Sequence, residues 1–457
     1  MVVWRYCVRS RVIHSASAFQ FSVNLISKAW SPAMTDNLIV NGVPWFDDRG
    51  APVNAHGGCI VEEAGRYYLF GEYKTDDVNT FIGFSCYSSP DLVHWTFERI
   101  VLPRQDDGLL GPGRIGERVK VMRCPSTRKY MMYMHCDDLG YTDPHIGMAV
   151  GDSIAGEYRF QGALHYRDAP IRRWDMGTFQ DREGTGYLLV HEGDIYRLSA
   201  DYASAEDLIA SGLAPGGESP AMLEHEGRYF LMFSNKTSWE RNDNYYLSAP
   251  TVRGPWTHRG PIAPEGTLTH NSQCTFVLRL HRDGKTVHMY MGDRWSFPHQ
   301  ASAGTYVWMP LDIESDSIAL PRFLPSWSPE SFTERDFKGA ELEVCFSSRE
   351  RGAFVEVPFS GDQVAVYGSA DRSSGYASVE IFDAAGDECV RGLLVDFYSL
   401  QADRGLRYVS PRLAAGEYRL RITVTGEAPV WTDKAHNRFG AVDCCVTVDR
   451  LVVSPSR

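Results

Sequence analysis

The stretch HGGCIVEEAGRYYLFGEYK at 56–74 decides the fold. It reads as a polar opening residue, an apolar run of strand length, a turn, and a second run rich in aromatics. IGFSCYSSPDLVHWTFERIVL, ending at 102, then supplies an outer pair of strands. The order recurs at ERVKVMRCPSTRKYMMYMHCDD from 117, followed by IGMAVGDSIAGEYRFQGAL. It returns at DMGTFQDREGTGYLLVH from 175, and at ESPAMLEHEGRYFLMFSN from 218, which closes with YYLSAPTVRGPWTHRGPI. The last copy is NSQCTFVLRLHRDGKTVHMYMGDRW from 271, closing with TYVWMPLDI.

Self-similarity at this spacing, with about four strands per copy, is the pattern of propeller blades. The expected fold is therefore all-β: a five-bladed β-propeller over 38–325. A Pro- and Ser-rich stretch, LPRFLPSWSPESF at 320–332, marks the way out of it, and 326–339 is expected as a linker. From 340 to 457 a different alternation takes over, in AFVEVPF, QVAVYGS, ASVEIFD, EYRLRITVTG and CVTVDRLVV. Strands spaced by turns over this length predict a β-sandwich of jelly-roll type.

Composition agrees: aromatics make up 12% of the chain, and 41 Gly and 24 Pro punctuate short alternating segments. A net charge of −12 argues against a phosphate-binding surface, so nucleic acid is not an expected partner. No run reaches the roughly 18 apolar residues of a membrane-spanning helix, and no membrane association is expected. The ten cysteines show no CxxC pair and no zinc-type spacing, and they read as buried free thiols of a reducing compartment. Residues 1–37 carry Arg5, Arg9, Arg11 and Lys28 with no acid before Asp36. This leader reads as a disordered segment or an upstream miscalled start with Met34 as the native first residue, giving a cytoplasmic protein. An organelle transit peptide is the alternative.

In a propeller the innermost strand of each blade lines a central channel, so the opening residues converge on one mouth. Here they are His56, Glu117, Asp175, Glu218 and Gln273. Packing alone would favour small or apolar residues at these places. Three converging acids suit glycoside hydrolysis, in which a carboxylic acid protonates the leaving oxygen and a group opposite it handles water. Carboxylates brought close also raise one another's pKa. Taken singly, each acid is equally a solvated strand-edge residue.

The blade layout, with Asp175 in WDMGTF and Glu218 in GGESPAM, resembles glycoside hydrolase family 43. That resemblance implies an inverting enzyme in which Glu218 is the general acid and Asp175 orients it and tunes its pKa. The family's usual base, an Asp opening the first blade, is replaced by Ala55-His56-Gly57-Gly58. Within the family the chain is most similar to the exo-β-1,3-galactanase branch, through His56-Gly57-Gly58, Gly71-Glu72, Glu117-Arg118-Val119-Lys120-Val121, Asn271-Ser272-Gln273 and Gly292-Asp293-Arg294-Trp295. Val119 stands where that branch has Pro, and Ser219 where it often has Ala. The resemblance implies release of terminal galactose from β-1,3-galactan or arabinogalactan oligosaccharides. The same fold acting on arabinofuranosides, xylosides or galactofuranosides is an alternative, as is a carbohydrate-binding propeller without catalysis.

For the water, the resemblance implies Gln273 as the positioning group or base, with Glu117 binding sugar hydroxyls or serving as the alternative base. Expected substrate contacts are His56, Glu72, Tyr141, Glu192, Thr237, Trp239, Asp293 and Trp295; the aromatics among them would pack on sugar faces. No cofactor is required and no metal is expected. In the second module, Tyr376, Tyr398 and Trp431 are candidates for a binding platform, with a structural cap as the alternative.

Overall fold

The computed structural model describes residues 37–77, 79–236, 238–432 and 436–454. The leader and its possible start at Met34 lie outside the described residues. What is described is almost wholly β-structure.

The first sheet holds the strands His56–Glu63, Arg66–Glu72, Gly83–Ser89 and Thr96–Pro103. The second holds Arg114–Arg123, Tyr130–Asp138, His145–Gly151 and Tyr158–Ala163. A third opens with Met176–Gln180, a fourth with Glu218–His225 and a fifth with Gln273–Arg282. Each of these opening strands packs against the opening strand of the next sheet, and Gln273–Arg282 closes the ring on His56–Glu63.

The turns follow from local chemistry. Ala64-Gly65, Glu226-Gly227 and Asp283-Gly284 each join two paired strands through two residues of positive φ. Both central residues of a type I′ hairpin require that geometry, and its twist matches that of the strands it joins. Strands covered on both faces need continuous rather than alternating apolarity. Accordingly MMYMHC in Tyr130–Asp138 is buried throughout, feeding the clusters on either side of its sheet.

A bulge follows the opening residue in four of the rings' inner strands, at His56/Cys59, Glu117/Lys120, Glu218/Ala221 and Cys274/Phe276. Three of them place a residue at positive φ: Gly57, Arg118 and Ser219. A bulge re-aims side chains at a strand end. Here it turns the openings of the sheets toward the axis. Gly57 is required twice over, since a Cβ there would also lie 2.0 Å from Oε1 of Glu72.

The stretch expected as a linker is built into the fold. Ser326–Ser328 pairs with Ile39–Val40, and the fully buried Trp327 donates its indole N–H to the Trp308 carbonyl at 2.7 Å. Beyond it, two four-stranded antiparallel sheets share one core, with Val366, Leu451 and Val448 from one meeting Ile381, Leu420 and Ile422 from the other.

Two expectations need correction. Cys59, Cys86, Cys124, Cys136 and Cys274 are buried, but Cys345 on Ala340–Ser348 and Cys389 on Glu388–Asp396 are exposed, and Cys444 and Cys445, just before Val446–Ser454, are half-buried; Cys7 is outside the described residues. Tyr376, Tyr398 and Trp431 are buried against the ring of sheets and form no open platform. The Tyr376 hydroxyl meets Ser296 Oγ at 2.8 Å, Arg241 lies over the Tyr398 ring, and Trp431 packs on Trp239.

Candidate active site

Glu218 opens its strand opposite Ser234, and its Oε1 accepts an amide N–H from Gln273 at 3.2 Å. Burial, reinforced by the negative charge of Asp175, pushes its carboxyl up to about 8. Glu218 is therefore protonated near neutral pH. Asp175 is its opposite. Burial works against its charge, but the Arg118 guanidinium, 3.2 Å away, and His135 outweigh that and hold it below the usual carboxylate range. Ser219 adds its backbone N–H at 3.2 Å and its hydroxyl at 2.8 Å, both to Oδ2 of Asp175. The serine thus contributes a bond that an alanine there could not. Two neighbouring carboxyls driven apart in this way make an acid and a fixed negative charge.

Glu117 is the second ionised carboxyl. Oε1 accepts from Asn79 Nδ2 at 2.7 Å and from the Tyr141 hydroxyl at 3.0 Å, while Oε2 lies 3.5 Å from Nδ1 of His135. Burial opposes its charge, yet His135, 3.5 Å away, and the charge of Lys74 bring it well below its ordinary value. His135, sandwiched between Asp137 and Glu117, is raised to about 9 despite its burial. Glu72 is closed in by Lys74 at 2.5 Å and the Arg118 backbone N–H at 2.9 Å, with burial pushing its carboxyl up. A small polar cavity runs along Glu72, Lys74, Asn79 and Gly116.

Gln273 lies beneath the other groups rather than among them. It is wholly buried, its carbonyl oxygen accepting from Arg118 Nη2 at 2.5 Å and from the Trp295 indole at 2.9 Å. Both partners can only donate, which fixes the orientation of the amide. An imidic-acid form would turn an O–H toward those two donors and find no acceptor. Its NH2 group donates to Glu218 Oε1 at 3.2 Å and faces Ser234 Oγ at 3.5 Å, so both ends of the amide have protein partners.

His56 and Asp293, expected at the substrate, are buried and paired with each other. Nδ1 of His56 is 3.2 Å from Asp293 Oδ1, the ring stacks on Tyr306, and Oδ2 of Asp293 accepts from the Gly57 N–H. Trp295 is buried, with Lys74 and Arg118 each 5.6 Å from its ring centre. Tyr141 reaches Glu117, and Trp239 stands 38% exposed at the edge. Glu192 is exposed at positive φ, its backbone N–H tied to the Gly217 carbonyl just before Glu218. Thr237 lies outside the described residues.

Sequence reasoning passed over Arg118, Lys74, Asn79 and His135. Arg118 was within a quoted motif, and a cation beside an opening acid was the available signal. Glu117, His135 and Asp175 also bring ligand atoms within 4.8 Å of one another, close enough to hold a cation. In the structure Arg118 pairs with Asp175 at 3.2 Å and His135 lies between Asp137 and Glu117, so the same three residues are members of an ion-pair network.

A ring of β-sheets whose openings converge on one protonated and two ionised carboxyls defines an acid–base site on an all-β scaffold. No family profile matches the chain. Among solved structures, a Bifidobacterium bifidum s17 protein, provisionally described as an exo-β-1,3-galactanase, shares 34% identity over 62% of this chain and 96% of its own, with a TM-score of 0.58. The exo-β-1,3-galactanase of Phanerochaete chrysosporium, solved with galactose, shares 26% identity over 91% and 100%, with a TM-score of 0.67. A family-43 β-1,3-galactosidase holding galactodeoxynojirimycin shares 27% over 64% and 100%, with a TM-score of 0.56. Among curated sequences, a Thermoclostridium stercorarium xylosidase/arabinosidase matches at 29% over 108 residues, 23% of this chain and 22% of that protein's length. The chain belongs to glycoside hydrolase family 43, whose members are enzymes acting on glycosidic bonds.

Proposed function

We propose that the protein is an inverting glycoside hydrolase that releases terminal galactose from β-1,3-galactan or arabinogalactan oligosaccharides. In this reading residues 38–325 form a five-bladed propeller, 326–339 join it to the rest, and 340–457 form a β-sandwich. The observation that carries the chemistry is the neutral carboxyl of Glu218 beside the ionised Asp175. Galactose and an iminosugar of galactose in the two solved relatives support the sugar.

Glu218 protonates the glycosidic oxygen as the bond to the anomeric carbon lengthens. Asp175 keeps that proton available before the reaction, and Gln273 holds Oε1 so that the other oxygen presents it. Glu117, ionised and with 13% of its side chain exposed, accepts the proton of the attacking water on the opposite face. Its depressed pKa makes it a weak base, but an amide is weaker still. Asn79, Tyr141 and Lys74 gather the sugar hydroxyls around it.

A panel of defined β-1,3-galactan, arabinan and xylan oligosaccharides, with products followed by NMR, tests this. Release of galactose as the inverted anomer is expected. Cleavage of arabinan or xylan alone would move the chain to another substrate class of the family, and cleavage of none would leave a sugar-binding propeller.

A further inference from the structure

Four aromatic rings lead away from the site and across to the second module. Trp295, whose indole N–H holds Gln273, lies 6.4 Å from Trp239; Trp239 is 5.9 Å from Trp431; and Trp431 stacks on Phe439 at 6.4 Å with an interplanar angle of 9°. Exposure alternates along the path. Trp295 and Trp431 are covered, whereas Trp239 is 38% and Phe439 37% exposed. Contiguous exposed apolar surface marks interaction sites, and these two rings both pack on Trp431, with Trp239 also packed on Trp295 at the site.

We infer that the second module completes the substrate site, with Trp239 and Phe439 as a ledge for the leaving-group end of a β-linked galactan chain. The inference rests on the proposed activity. An exo-acting enzyme encloses one sugar, so the remainder of the chain must leave past the acid toward the rim. Sugar rings present apolar C–H faces that pack on aromatic rings.

The ledge is also held rigidly. Ser296 donates to Asp396 at 2.9 Å and meets the Tyr376 hydroxyl, and Arg241 joins the modules by donating to the Trp295 carbonyl at 3.0 Å while lying over Tyr398. A fixed aromatic surface binds without first being ordered.

The test is Phe439→Ala, assayed on β-1,3-galactobiose and β-1,3-galactotetraose, with Phe439→Tyr as the conservative control. Loss of one stacking ring should lower kcat/KM on the tetraose about five-fold, leave the biose unchanged, and be restored by tyrosine. The same substitution made in Glu218→Gln should weaken tetraose binding by a similar factor in calorimetry. Equal rates on both substrates, or an equal loss on both, would overturn the ledge. A wild-type protein that cleaves neither length would instead overturn the galactan reading on which it stands.

Discussion

Gln273 donates its amide N–H to Oε1 of Glu218 across 3.2 Å. A protonated carboxyl has one oxygen that accepts well and one that carries the hydrogen. By occupying Oε1, the amide leaves the transferable proton on Oε2. The orientation is secured from behind, because Arg118 and Trp295 both donate to the amide oxygen.

Replacing Glu218 with Gln keeps the shape and removes the proton. We expect kcat on an unactivated galactoside to fall by roughly 10²–10⁴-fold, while an aryl galactoside with a good leaving group loses much less. Equal, near-normal rates on both substrates would remove Glu218 from the acid role.

The pH profile follows from the same pair. Glu218 must be protonated to act, and with its carboxyl raised to about 8 the rate should fall as pH rises through that region. Asp175→Asn takes away a negative charge that raises Glu218 and frees Arg118, whose charge lowers it. The basic limb should therefore move toward lower pH, with a lower plateau. An unmoved limb measured on kcat/KM would show that Asp175 does not tune the acid.

The repeat and the turn pairs were legible because each is local: apolar runs of strand length, and a residue followed by Gly between them. The convergence of Glu117, Asp175 and Glu218 followed from the repeat alone. The depth of each residue behind its bulge was not legible, so the full burial of Gln273, expected at the water, and of His56 and Asp293, expected at the sugar, could not be read from the repeat. Lys74 and Arg118 reach acids of neighbouring sheets, a relation that spacing does not encode, whereas His135 stands directly opposite Glu117 within one strand pair. Period-two alternation likewise cannot tell solvent from a neighbouring module, so Tyr376, Tyr398 and Trp431 looked open although their faces are covered.

Arg118 is the cation shared by Asp175 and Gln273, with 9% of its side chain exposed. Arg118→Met fills similar space but leaves Asp175 buried without its guanidinium, and removing one partner of a buried pair costs about 3–5 kcal/mol. Denaturant unfolding at pH 7 should show a loss of that size. The paired carboxylate is stabilising above its ordinary pKa and loses that contribution as pH falls through its depressed value, so the difference between the proteins should narrow in acid. A constant difference down to low pH would assign the loss to packing.

Inversion requires water on the face of the sugar opposite Glu218, and Glu117 and Gln273 are the two groups that a base assignment must separate. Gln273 has no exposed surface and both ends of its amide are committed, whereas Glu117 is ionised and partly open. Truncating a true base leaves a cavity in which a small anion can attack the anomeric carbon. Glu117→Ala should therefore lose activity and regain part of it with azide, yielding a glycosyl azide of inverted configuration. Gln273→Ala should also lose activity, because Glu218 is no longer oriented, but azide should not restore it. Its deficit should shrink on substrates with good leaving groups, where less protonation is needed. Rescue of Gln273→Ala without rescue of Glu117→Ala would return the water to Gln273, and a retained anomer in the wild-type product would overturn single-displacement chemistry altogether.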